Sequence, residues 1–372
     1  MSSIQGKIGR QESASMLGIA LYINAVFTVN AKKMFYGSGN SSYIWMPLSM
    51  LLSLGAFLLA AHCMKKTNAP ALNDLIYAGA GKPLGKVCMG ILALLLFLGA
   101  LLPTMQFVSM LHSYAFNNTG SHFGISLWVL FTMLVLCLWG METISRLSRL
   151  LVGLFIISIL CSLVITAPSY QTYRLYPLPG NPPAQIGLFT LQRTYVVLPA
   201  MLGMLCLTKN QQGLHFARTG GIIAAAVAMA LAFAAQFSVS LTFPYQELAQ
   251  MLDPFYSLDI SLLKEGFLFR MDKVFLFLWL GVQLVAGSFF VFAAGAVLKR
   301  DFALHSTRVS SVAVLVLMAC VMLLQHMGGE AAVNDVLQFL DRYCYLLLLL
   351  PLAAALLGVI RHKEVRHEHQ TV

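Results

Sequence analysis

The residues best placed for chemistry in this chain are polar groups and helix breakers set inside apolar runs. In Leu21-Tyr-Ile-Asn-Ala-Val-Phe-Thr-Val-Asn30, the side chains of Asn24, Thr28 and Asn30 interrupt an otherwise apolar stretch. In Tyr195-Val-Val-Leu-Pro-Ala-Met-Leu-Gly-Met204, Pro199 and Gly203 do the same. Proline removes a backbone donor and crowds the preceding turn, so it kinks or opens a helix. An opened helix offers free N–H groups of partial positive charge to a carboxylate, and free carbonyls to an ammonium group. With Asn24, Thr28 or Gln106 adding hydrogen bonds, such a site suits a small zwitterion such as an amino acid. Two interrupted spans at corresponding positions of two halves point to the substrate site of a secondary transporter. The same residues equally suit hydrogen bonds between neighbouring helices and a tolerated kink, and both alternatives stay open here.

Two further runs supply candidates. One carries Gln106, Ser109 and His112 near its end; the other carries Trp279, Gln283, Gly287 and Ser288. The candidate binding set is therefore Asn24, Thr28, Gln106, Pro199, Gly203, Trp279 and Gln283, with helix packing an equal alternative for Trp279. Enzyme chemistry is not expected. Gly79-Ala-Gly-Lys82 is followed by Pro83 rather than Ser or Thr, and neither HExxH spacing nor a Gly-x-Ser-x-Gly elbow occurs. No catalytic residue, metal ligand or cofactor is expected. The tail histidines His362, His367 and His369 read as a solvated end. The seven cysteines form no CxxC pair and suit small buried apolar positions. Glu12, Glu142, Asp272 and Asp341 lie near the ends of apolar runs, so the middles are expected to be neutral.

The elements that must position these groups are membrane-spanning helices. Hydrophobic residues make up 59% of the chain and charged ones 10%, against roughly a quarter charged in soluble domains. Crossing a hydrocarbon core takes about 20 apolar residues. Ten such runs are expected, near 12–36, 43–64, 84–114, 123–141, 147–168, 186–208, 217–243, 267–298, 309–327 and 336–360. No extramembrane segment is large enough for a second domain, so residues 1–372 form one polytopic unit. It is expected to comprise two five-helix repeats, about 12–168 and 186–360, with spans one and six discontinuous. The first span is expected to stay in the mature protein. Spans three and eight exceed a straight crossing, which predicts tilt or a kink at Pro103. Ala71 to Tyr77 reads as a short amphipathic helix at the interface, and Tyr245 to Asp253 as helix in the longest connection.

The net charge of +10 would suit nucleic acid, but its placement argues for topology. With a cytoplasmic N-terminus, sixteen of the 24 Lys and Arg residues fall on the inner side. The remaining eight, Arg193 among them, fall outside. That excess places both termini in the cytoplasm and leaves the lipid bilayer, rather than nucleic acid, as the partner surface.

Three segments resemble the permease-like B-subunits of bacterial spore germinant receptors, in the amino acid–polyamine–organocation superfamily. They are Asp253-Pro-Phe-Tyr-Ser through Arg270, Asp272 and Trp279 to Leu298-Lys-Arg-Asp-Phe302; Ser145-Arg-Leu-Ser-Arg149; and Arg174-Leu-Tyr-Pro-Leu-Pro-Gly180. The resemblance implies a LeuT-type fold with a 5+5 inverted repeat. It also implies that the chain binds a small germinant, such as an amino acid, at the midplane. Binding would be signalled to an A-type subunit with soluble domains and a C-type lipoprotein. The chain departs from the family in having no glycine between Asn24 and Asn30 and no carboxylate beside Pro199. An autonomous amino-acid transporter of the same fold is the alternative.

Overall fold

The computed structural model describes residues 9–27, 39, 42–116, 121–176, 181–248, 250–251, 271–302, 304 and 306–368. All regular structure among these is helical. The ten principal helices are α1 (Arg10–Phe27), α2 (Ser42–Thr67), α3 (Leu72–Tyr114), α4 (His122–Trp139), α5 (Met141–Thr166), α6 (Pro183–Cys206), α7 (Gln211–Thr242), α8 (Met271–Asp301), α9 (Thr307–Leu324) and α10 (Glu330–Glu368). Nine of them, α2 to α10, contain stretches long and apolar enough to cross a membrane.

The tenth, α1, is less apolar because it meets little lipid. It carries Asn24 and a charged first turn, and 13 of its 18 residues are buried against other helices. A helix packed inside a bundle can be polar where protein neighbours, not hydrocarbon, surround it. Burial ranks the remaining helices. The apolar windows of α6, α8 and α3 are 83%, 72% and 67% buried, whereas that of α5 is only 22%. So α1, α3, α6 and α8 form the centre. Outward-facing residues such as Trp128, Phe131, Leu150, Ile157 and Val164 are exposed and apolar, as a lipid-facing surface requires.

Packing repeats with an offset of five. Helix α1 packs on α7 and α6 packs on α2; α1 meets α5 and α8, while α6 meets α10 and α3. Likewise α8 meets α4 as α3 meets α9. An odd number of crossings per repeat inverts the second copy, giving the expected 5+5 architecture. Small residues allow the close approaches. A methyl group placed at Gly220 of α7 would meet the Ala14 nitrogen at 3.0 Å and the Arg10 carbonyl at 3.1 Å, both backbone atoms of α1. Gly79 of α3 and Gly358 of α10 bring their backbones together in the same way.

Several expectations need correction. Span six is not discontinuous, since α6 runs unbroken through Pro199. Every residue from Thr194 to Leu205 is buried, so packing on all sides holds the helix where the proline deletes one backbone bond. Helix α1 is regular through Asn24 to Phe27, while Thr28 and Asn30 lie outside the described residues. Pro103 does not break α3; the break is at Gly81, whose φ of 75° is open to glycine and strained for other residues. The expected amphipathic helix is the segment of α3 before Gly81. Its Leu72, Leu75 and Ile76 are buried. Gly140, with φ 96°, turns the chain directly from α4 into α5 where a longer inner loop was expected. Between Pro244 and α8 only the turn Tyr245–Leu248 and residues 250–251 are described. The first part of the longest resembling segment, residues 253–270, therefore lies outside the described residues. Four cysteines are buried as expected, but Cys161 and Cys320 are exposed on lipid-facing helices.

Candidate functional site

Contacts between the central helices fix their relative depth. Gly203 of α6 faces Leu96 of α3 and Ala293 of α8, whose side chains would stand 2.8 and 3.3 Å from a methyl group placed there. Gly99 faces Phe290, and Gln283 donates from Nε2 to Thr104 Oγ1 at 3.1 Å. Residue numbers thus rise along α3 as they fall along α8, so the two helices are antiparallel. Moving ten residues from the Gly203–Leu96–Ala293 level, away from the α1 N-terminal face, reaches Arg193, Gln106 and Gln283. Ten residues of helix span about 15 Å. The three side chains therefore belong to one layer, contributed by α6, α3 and α8.

Helix α1 enters the same layer from the fourth side. Phe27 meets Trp279 edge-on at 5.2 Å and Phe107 at 5.7 Å. These rings cap the layer on its far side. One turn back, Asn24 is wholly buried and donates from Nδ2 to the Ala20 carbonyl at 3.2 Å. Its second interaction partner is also in place. Gln106 is half-buried and engaged.

Gln283 is the most informative member. It is 1% exposed. Thr104 spends its own proton on the Ala100 carbonyl at 2.6 Å, so its oxygen can only accept, and the Gln283 amide must present Nε2 to it. Oε1 is thereby turned away from Thr104, and it is buried with no hydrogen-bond partner among the described residues. A buried acceptor left unmet costs about 1–3 kcal/mol. Such a group in a native interior calls for an explanation, and a ligand donor is one.

Arg193 overturns the expectation of a neutral interior and of an outer-side position for this residue. It lies within α6, is 5% exposed, and its guanidinium stands 4.8 Å from the Phe189 ring centre. Phe189 in turn packs edge-on against Trp45 of α2 at 5.4 Å. Ionisable groups buried in a membrane are costly and mark substrate or ion paths. The signal was legible, since Arg193 falls inside the apolar run 186–208.

Of the seven candidates, Asn24, Gln106, Trp279 and Gln283 lie at about one depth on the central helices. Pro199 and Gly203 do not: they lie toward the α1 N-terminal face, and Gly203 is filled against by Leu96 and Ala293. Thr28 lies outside the described residues. Thr104, Phe27, Phe107 and Arg193 join the site without having been singled out for it. Thr104 and the two phenylalanines carry no local signal, because only the packing of α1, α3 and α8 reveals them. No group of three or more His, Cys, Asp or Glu gathers as a metal site among the described residues.

No protein-family model matches the chain, and no curated protein matches its sequence. Its fold does have counterparts among solved structures. It is similar to a Na+-coupled sialic acid symporter in a substrate-bound outward-open state, with TM-score 0.66 and 8% identity over 93% of this chain and 79% of that one. It is also similar to Mhp1, a nucleobase-cation-symport-1 family transporter with bromovinylhydantoin bound, with TM-score 0.62 and 11% identity over 96% and 93%. The manganese transporter of Eremococcus coleocola gives 0.60 and 14% over 94% and 78%. All three are transporters rather than enzymes. The chain is thus an integral, multi-pass, all-α membrane protein with a LeuT-type fold.

Proposed function

We propose that this chain is a permease-like subunit that binds a small germinant, an amino acid in the first instance, and signals its presence for spore germination. The observation that carries the binding site is the buried, unmet Oε1 of Gln283 in a layer shared with Asn24, Gln106 and Arg193. The ammonium group of an amino acid would donate to Gln283 Oε1. Its carboxylate would meet Arg193, taking over the part first assigned to a half-helix N-terminus, which an unbroken α6 does not offer. Phe27, Phe107 and Trp279 would close the site on one side. The germinant role itself draws on the resemblance to receptor B-subunits, with A-type and C-type subunits as partners. A bound ligand would act by favouring one of two arrangements of the central helices, through its difference in affinity for them. Ten crossings and the basic excess put both termini in the cytoplasm. One unit of two five-helix repeats completes the proposal.

The second reading, an autonomous amino-acid transporter, is favoured by the likeness to three transporters over more than nine-tenths of this chain. A thermal-shift screen of the purified chain against the standard amino acids tests the binding site. Stabilisation by one or a few amino acids that is lost with their carboxyl-amidated forms supports it. Equal shifts with both forms would remove Arg193 from the site.

A further inference from the structure

A separate cleft of about 520 Å³ opens between α1, α5 and α7, with no residue of α3 lining it. Its walls are apolar along most of their length, including Ile19, Ile156 and Val227. Tyr22 and Phe155, meeting edge-on at 5.1 Å, close its deep end. The other end is polar: Arg10, Gln11, Ser15 and Arg149 form the mouth. Arg10 is exposed and has no ion-pair partner among the described residues. Arg149 is shared with Glu12 at 3.2 Å, and the hydroxyls of Ser15 and Ser148 lie 3.0 Å apart, tying α1 to α5 beside it. The mouth therefore keeps a net positive charge.

Dimensions identify the occupant. From Arg10 to Tyr22 is twelve residues of helix, about 18 Å. One leaflet of a hydrocarbon core about 30 Å thick is roughly 15 Å deep. The cleft thus has the length of one leaflet, a cationic end at the membrane face and an apolar blind end near the midplane. We propose that it holds an acyl chain of an anionic phospholipid, whose phosphate sits between Arg10 and Arg149. Neither a soluble anion nor a neutral lipid uses both features. Because α1 also supplies Asn24 and Phe27 to the candidate ligand layer, a lipid seated here favours the arrangement in which α1 stays against α5 and α7. The proposal does not depend on the germinant reading.

The test is native mass spectrometry of the purified full chain equilibrated with equimolar phosphatidylglycerol and phosphatidylcholine. The parent chain is expected to retain the anionic lipid preferentially. Each arginine near the surface is worth about fivefold, so the variant Arg10→Gln/Arg149→Gln should lose most of the preference and Arg10→Gln alone about fivefold. The Arg10→Lys/Arg149→Lys variant should keep it. Val227 is 39% exposed, so Val227→Trp can fill the cleft without disturbing the core, and should expel both lipids. Equal retention of the two lipids by the parent chain would overturn the proposal. So would unchanged preference in the double Gln variant, or unchanged lipid retention with Val227→Trp.

Discussion

Gln283→Met separates a ligand-binding carboxamide from a structural one. Methionine nearly matches glutamine in length and volume and carries no strong hydrogen-bonding group, so α8 keeps its packing. The change deletes the Nε2 bond to Thr104, worth about 0.5–1.5 kcal/mol. It also deletes a buried Oε1 with no partner among the described residues, which costs the unliganded protein about 1–3 kcal/mol. Thr104 is not stranded, because its proton stays on the Ala100 carbonyl. The two effects oppose, and unliganded stability should be unchanged or rise by about 1 kcal/mol. Binding should respond differently. A ligand ammonium buried opposite the methionine loses its acceptor at about 1.5–3 kcal/mol, a fall in affinity of roughly 10- to 150-fold. The assay is thermal unfolding of the purified chain with and without the amino acid that stabilises the parent most. A lower melting temperature without ligand, together with an unchanged ligand shift, would refute the reasoning.

Arg193→Met should weaken binding of amino acids at least about 30-fold, since truncating one partner of a buried charge pair costs about 2–5 kcal/mol; isothermal titration checks it. Gly203→Leu should reduce folded, monodisperse protein rather than ligand response. Leu96 and Ala293 leave no room for the side chain, and such overpacking costs about 1–3 kcal/mol; size-exclusion profiles decide. Tyr77 donates to Asp301 Oδ1, while Asp301 Oδ2 is buried without a partner among the described residues. Tyr77→Phe should therefore cost about 1–3 kcal/mol and lower the melting temperature of the unliganded chain. Trp279→Phe should keep binding, because a phenylalanine can still face Phe27 edge-on, whereas Trp279→Ala should lose about 3–5 kcal/mol of stability.

How much of this was legible in the sequence depends on what sets each feature. Helix number and length follow from backbone hydrogen bonding in hydrocarbon, so the ten principal helices could be read from apolar run lengths, whereas the five-plus-five pattern rested on the interrupted spans and the family resemblance. Helix ends depend on single residues, and Gly81 and Gly140 moved them by their positive φ. Pro199 misled because local chemistry predicts a break, while burial from Thr194 to Leu205 overrides it. Arg193 misled in the other direction, since it was counted with the outer-side charges although it falls inside the apolar run 186–208. Asn24, Gln106, Trp279 and Gln283 were found because polar or amphipathic residues in apolar runs are few. Thr104, Phe27 and Phe107 were not, because their part in the site exists only through helix–helix packing.

The central claim is a binding site for a small amino acid that serves sensing. It is tested most directly by reconstituting the purified chain alone in liposomes and following labelled amino acids. Saturable binding is expected, weakened about tenfold or more by Gln283→Met and by Arg193→Met, with no accumulation inside. Absence of saturable binding for every amino acid would contradict the site, and uptake against a gradient by the chain alone would contradict the sensing role.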